Sequence, residues 1–184
     1  MEIAITGHTR GIGLALANKF QTLGHNIKGY SLSQGCDIGN SEHRAMLIKD
    51  AHNADLFINN AFHPTGQIEL LKEFNTAYPD KAIINISSKG ALVNINLVKN
   101  PQLQMYNTIK QNLNSVANQL MLNGTRILNV LPGVVDTDMG MMFPGPKLDT
   151  LYLADVIIEQ FNNPQVQQFI IDVPGANWNS YYQL

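Results

Sequence analysis

Short apolar runs alternate along the chain with longer stretches in which apolar residues return every three or four positions. Ile3-Ala4-Ile5, Leu56-Phe57-Ile58, Ala82-Ile83-Ile84 and Ile127-Leu128 lack the in–out alternation of a strand wetted on one face, so they read as strands covered on both sides. The pattern predicts strands over 2–6, 26–30, 55–59, 81–86, 126–131 and 168–173, with room for a short further strand from Cys36 to Ile38. Helices are predicted over 11–23, 41–53, 67–77, 103–122 and 149–162. Asn40 or Ser41 suits the start of the second helix, and Gly24 and Gly124 stand where helices should stop. Strand and helix in strict alternation imply an α/β fold, a doubly wound parallel sheet, built as one domain over residues 1–184. The Gly- and Pro-rich stretch from Pro132 to Pro146 reads as a mobile loop.

Composition narrows the function classes. The 184 residues, 45% of them hydrophobic, are enough for one substantial core and leave no obvious place for a second domain. A net charge of −2 offers no basic field for nucleic acid beyond a small local patch. Cys36 is the only cysteine, so neither an internal disulfide nor a cysteine metal site is expected. His8, His25, His43, His52 and His63 show no paired metal spacing and are expected to be solvated or packed. The chain enters a strand at once, unlike a signal peptide, and no apolar run approaches a membrane span, so a soluble cytoplasmic protein is expected.

Two segments carry chemistry. In TGHTRGIG, Thr6 to Gly13, three glycines lie between the first strand and the first helix. Gly7 suits a tight turn, Gly11 a close backbone approach to a pyrophosphate, and Gly13 close packing of the helix on the sheet. The helix start then offers N–H groups and a positive dipole end to phosphates. In YNTIK, a helix would stack Tyr106 and Lys110 one turn apart. Bringing a phenol from about 10 to near 7 requires roughly 4 kcal/mol. An ammonium at about 4 Å in an effective dielectric near 20 supplies about that, before desolvation is subtracted.

With NNA at Asn59 to Ala61, NISS at Asn85 to Ser88 and LPGVVDT at Leu131 to Thr137, these segments give five motifs in one order, and the chain resembles the short-chain dehydrogenases/reductases along most of its length. The resemblance implies a Rossmann fold and an NAD(P)-dependent oxidoreductase that interconverts a carbonyl and an alcohol. Tyr106 would transfer the proton, Lys110 would lower its pKa and hold the nicotinamide ribose, and Ser88, with Ser87 as competitor, would orient the substrate oxygen. The cofactor would meet Gly7, Thr9, Arg10, Gly11, Ile12 and Gly13 at the turn and Ser31 and Asp37 near the adenosine. Asn59, Asn60 and Ala61 would lie along it, with Pro132, Gly133, Val135 and Thr137 near the nicotinamide. Arg10, and a serine rather than an aspartate at Ser31, favour NADP(H) over NAD(H).

Departures from the family are equally informative. Between the second strand and Asp37 there is no room for the usual helix, and the segment from Ala61 to Ser87 is short. The helix shortened there normally carries the family's catalytic asparagine, for which Asn75 is a possible substitute, and much of a dimer interface. A homodimer with a smaller or rearranged interface is therefore expected in place of a tetramer, since Leu113, Val116, Ala117 and Leu120 must bury a face. Asp136 and Asp138 read as a solvated loop pair. Lys89 to Met105, Met139 to Phe143 and the Trp178-to-Leu184 tail would line the pocket; their methionines and aromatics suit either an apolar substrate or a lid packed on its own core. Two other classes remain: a cofactor-binding redox-sensing regulator without turnover, and a nucleotide-sugar epimerase or dehydratase, for which the compact C-terminal half leaves little room.

Overall fold

In a computed structural model, which describes residues 1–174, the apolar runs form β1 (Glu2–Thr6), β2 (Asn26–Tyr30), β3 (Leu56–Asn59), β4 (Ala82–Ile86), β5 (Ile127–Pro132) and β6 (Gln168–Ile171). All are parallel, in one sheet of order β2-β1-β3-β4-β5-β6. The connections hold α1 (Gly11–Thr22), α2 (Ser41–Asp50), α3 (Gly66–Ala77), α4 (Pro101–Leu122) and α5 (Thr150–Phe161). Ile3 and Ile5 pack with Leu16 and Phe20 of α1 and Leu153 and Ile157 of α5. Ala4 and Phe57 face the other layer, with Leu47 of α2, Leu70 and Phe74 of α3 and Leu113 of α4. Both faces of the central strands are thus dry, which is why their sequences do not alternate.

The caps act as the sequence requires. Asn40, rather than Ser41, accepts from Glu42 N at 2.8 Å, and Asn100 accepts from Leu103 N at 3.1 Å with Pro101 in the first helical position. That cap starts α4 at Pro101, ahead of the expected residue 103. Gly24 and Gly124 take φ of 81° and 92° just beyond their helices.

The short strand expected over Cys36 to Ile38 does not form. After β2 the chain makes a 3-10 turn, Leu32–Gln34, and Gly35 at φ 84° bends it back, so it never runs beside β2. β2 is therefore an edge strand, with Lys28 paired to Asp50 at 2.5 Å beside it.

A row of amides crosses the buried sheet. The register sets Asn59, Asn85 and Asn129 side by side on β3, β4 and β5. Asn59 Nδ2 donates to Asn85 Oδ1 (2.9 Å), Asn85 Nδ2 to Asn129 Oδ1 (2.8 Å), and Asn129 Nδ2 to Asn114 Oδ1 (3.1 Å) and Gln168 Oε1 (2.9 Å). A one-residue slip would turn an amide into the apolar layer under α1 and α5 without its partners, so the row fixes strand register. At the C-terminal end of the sheet, β1 has β2 on one side and β3 on the other. The connections diverge to opposite faces there, opening the crevice in which such folds bind ligands.

Candidate active site

The glycine turn sits at that crevice. Gly7 and Gly11 have φ of 71° and 55°, which side chains rarely tolerate. A Cβ on Gly13 would stand 2.1 Å from the Gly7 carbonyl oxygen, so only glycine lets α1 start this close to the strand end. Arg10 precedes α1 without a side-chain capping bond, and no acidic residue lies in the first turn. The leading N–H groups are thus left without a side-chain acceptor, an arrangement that fits a phosphate. Ile12, half-buried, packs on the core from the first turn of α1.

Thr6 stitches this turn to β3, a role the sequence reading missed. Its buried Oγ1 accepts from Asn60 N and Ala61 N, both at 3.0 Å. Asn60 Nδ2 in turn donates to Thr6 O at 2.9 Å and Gly7 O at 3.3 Å. Of the residues expected along the cofactor, Asn59 and Asn60 have side chains engaged within the protein. Asn60 braces the glycine turn, and Asn59 points into the amide row, fully buried. Ala61 is half-buried beside Gly7.

Near the end of β2, Ser31, Ser33 and Thr9 gather their hydroxyls, with Ser31 Oγ 3.0 Å and Thr9 Oγ1 3.4 Å from Ser33 Oγ. Arg10 reaches across to Asp138 at 3.2 Å, both side chains being largely exposed. Asp37 acts as a turn residue, its Oδ1 accepting from Gly39 N at 2.8 Å.

On α4, Tyr106 and Lys110 face the end of β4. Ser88 lies beside Tyr106, close enough to offset part of the rise in its phenol pKa, and its Oγ accepts from Gly90 N at 3.0 Å. Ser87 lies buried, without a partner for its hydroxyl among the described residues. Lys110, 3% exposed, donates to Gln67 Oε1 at 2.9 Å and Ile86 O at 3.2 Å. Phe62 closes the other side: its ring lies 5.2 Å from the Tyr106 ring, and Lys110 Nζ is 5.3 Å from its centroid.

This packing reverses the electrostatics expected of the pair. Burial raises the Tyr106 phenol above its ordinary value, only partly offset by Ser88. Burial likewise brings Lys110 down to about 7. In an isolated pair the ammonium would favour the phenolate; inside the protein the loss of water outweighs it. Asn75 does not reach the site either, since its Oδ1 accepts from Thr125 Oγ1 at 2.8 Å near the far end of the sheet. Gln67, on the first turn of α3, stands beside Lys110 instead.

The last motif forms the crevice's far wall. Pro132 ends β5, and Gly133 packs so closely on Asp172 that a Cβ would stand 2.1 Å from Oδ1. Asp172 pairs at 2.5 Å with Lys89, which follows Ser88. Val135 bridges to Leu148, and Thr137 caps the turn Asp138–Gly140 while its methyl group faces Gly11. Leu92, Leu97, Met105, Met139, Met141 and Met142, on the two segments flanking the site, are each more than half exposed rather than packed as a lid. The Trp178-to-Leu184 tail lies outside the described residues. Among the described residues no helix is long and apolar enough to cross a membrane.

Neither a protein-family profile nor a curated protein matches the sequence. Solved structures do match the fold. A short-chain dehydrogenase from Burkholderia cenocepacia J2315 in complex with NADP aligns at TM-score 0.76 and 20% identity, over 94% of this chain and 88% of that one. The 3-alpha-hydroxysteroid dehydrogenase from Pseudomonas sp. B-0831, complexed with NADH, aligns at 0.75 and 15%, over 94% and 95%. The 3-ketoacyl-(acyl-carrier-protein) reductase from Brucella melitensis, complexed with NADH, aligns at 0.77 and 17%, over 93% and 96%. The six parallel strands, the helices on both faces and the crevice at the strand ends together make this a shortened version of the single-domain Rossmann fold of the short-chain dehydrogenases/reductases.

Proposed function

We propose that this protein is an NADP-preferring oxidoreductase that interconverts a carbonyl and an alcohol. The observation that carries this reading is the convergence of Ser88, Tyr106 and Lys110 at the same end of the sheet as a glycine turn and an uncapped helix start that fit a phosphate. The turn from Gly7 to Gly13 would hold the pyrophosphate, and Tyr106 and Lys110 the nicotinamide ribose. When bound, the nicotinamide supplies or accepts the hydride.

The chain's own residues handle the oxygen and the proton. Ser88 hydrogen-bonds the substrate oxygen beside Tyr106. The phenol, kept protonated by burial, then donates its proton to that oxygen. Lys110, in its charged form, stabilises the phenolate left behind.

NADP over NAD rests on Arg10 and on the hydroxyls of Thr9, Ser31 and Ser33, with no carboxylate at Ser31 to repel a 2′-phosphate. The Arg10–Asp138 pair is exposed, and such pairs contribute about 0–1 kcal/mol, so a phosphate can outcompete Asp138. The exposed methionines and leucines beside the site support an apolar carbonyl substrate.

One observation favours a second reading, the regulator without turnover: Phe62 covers Tyr106 and Lys110, where a nicotinamide would have to lie. A panel of aldehydes and ketones assayed with NADPH and NADH separates the two. Steady oxidation of NADPH supports the enzyme, whereas tight cofactor binding with no consumption across the panel supports the regulator.

A further inference from the structure

We propose that Gln67 is the positioning residue for Lys110, holding its ammonium with a side-chain carbonyl from the first turn of the shortened helix α3. The assignment takes Lys110 as the working cation of the function proposed above, but it is testable without substrate.

Three observations carry it. First, the amide of Gln67 is fully buried, and the described contacts use both its oxygen and its nitrogen. Its Nε2 donates to Asn59 O at 3.1 Å and Ile86 O at 3.0 Å, while Oε1 accepts from Lys110 Nζ at 2.9 Å. Flipping the amide would set its oxygen against two carbonyls and its N–H groups against an ammonium, so the network fixes the orientation. Second, the helix that carries Gln67 is pinned where it starts. His63 Nδ1 accepts from Gly66 N at 2.9 Å, and a Cβ on Gly66 would stand 2.2 Å from Ile38 O. Asn59 Nδ2 also donates to Gln67 O at 3.1 Å, which ties the residue to the amide row. Third, among the described residues Lys110 has no carboxylate partner. Its described neighbours are the Tyr106 ring on its own helix, Phe62 beyond β3, Gln67 on α3 and the Ile86 carbonyl of β4, and Tyr106 is the one titratable group among them. The cause of its shift is burial alone. Gln67 therefore supplies the side-chain acceptor that keeps a charged Lys110 tenable in this site.

The test is a titration of Lys110 by lysine 13Cε NMR, assigned by the loss of its signal in Lys110→Met. In Gln67→Met, which keeps the volume but removes the acceptor, the Lys110 midpoint should fall by about one pH unit, a tenfold loss of proton affinity. The pH profile of any turnover should move with it. A folded variant with an unmoved midpoint would reduce Gln67 to a packing role and overturn the proposal. Should Gln67→Met not fold, the wild type decides: the Gln67 side-chain 15N resonance must titrate together with Lys110, and a resonance that ignores that titration overturns the assignment. Neither readout needs substrate, so failure of the oxidoreductase reading would leave both interpretable.

Discussion

Lys110 is a basic group enclosed by Phe62, Tyr106, Gln67 and the end of β4, and its proton affinity has a thermodynamic consequence that can be measured. Its folded value of about 7 lies below its unfolded value of 10.5. Between those two pH values the unfolded chain binds the extra proton, so stability rises with pH across that window, by about 1.4 kcal/mol per pH unit. From pH 7 to pH 9 the gain attributable to Lys110 approaches 3 kcal/mol as an upper value. Tyr106 does not interfere: a raised phenol contributes stability below about pH 10 that is lost only above it. Lys81, also lowered, acts with the same sign but equally in wild type and variant, so it cancels in the difference. Lys110→Met removes the titrating group at the cost of leaving Gln67 Oε1 without its donor, about 1–3 kcal/mol, while Ile86 O keeps the bond from Gln67 Nε2. Urea unfolding followed by circular dichroism at pH 7, 8 and 9 should show the wild type gaining on the variant at each step. Parallel pH dependences would mean that Lys110 is solvated and charged, and would refute the enclosed site.

Other outcomes follow from the same geometry. Arg10→Ala should weaken NADPH binding about tenfold or more while leaving NADH binding almost unchanged, as one charge-assisted contact is lost; calorimetry with both cofactors checks this, and equal losses would reject the 2′-phosphate assignment. Gly13→Ala must move a backbone carbonyl that stands 2.1 Å from the new methyl group, so a loss of more than about 2 kcal/mol in denaturant titration is expected. For assembly, Leu113 and Ala117 are taken by the core, with Val116 and Leu120 packed against it, while Thr108, Asn112, Ser115 and Gln119 are exposed along α4. The apolar face expected to pair two copies is thus used within the protomer, so light scattering at micromolar concentration should give nothing larger than a homodimer with a small interface; a stable tetramer would contradict it.

What could be read in advance follows from the range of the interactions. Strands at Ile3–Ile5, Leu56–Ile58 and Ile83–Ile84 were legible because burial on both faces leaves a continuous apolar run. The turn at Gly7, Gly11 and Gly13 was legible because each glycine answers a local steric demand. Gln67 was not, because a polar residue in a first helical turn has no periodic signal and its partners lie on β4 and α4. The Asn59-Asn85-Asn129 row needed the strand register before it could be seen. The spacing of Tyr106 and Lys110 conveys that they share one face of α4 and attract as a pair, but not the burial contributed by Phe62 and the sheet, which acts against both charges. Asn75 failed for a related reason: its place on α3 was right, but it lies two turns along from the residue that meets Lys110.

The central claim is that Tyr106 delivers a proton during hydride transfer. Tyr106→Phe removes that proton with little change in volume. Steady-state NADPH oxidation with the best carbonyl substrate should fall by at least about a hundredfold in this variant, while calorimetry shows NADPH still bound. Turnover within a fewfold of wild type, with cofactor affinity intact, would contradict the account.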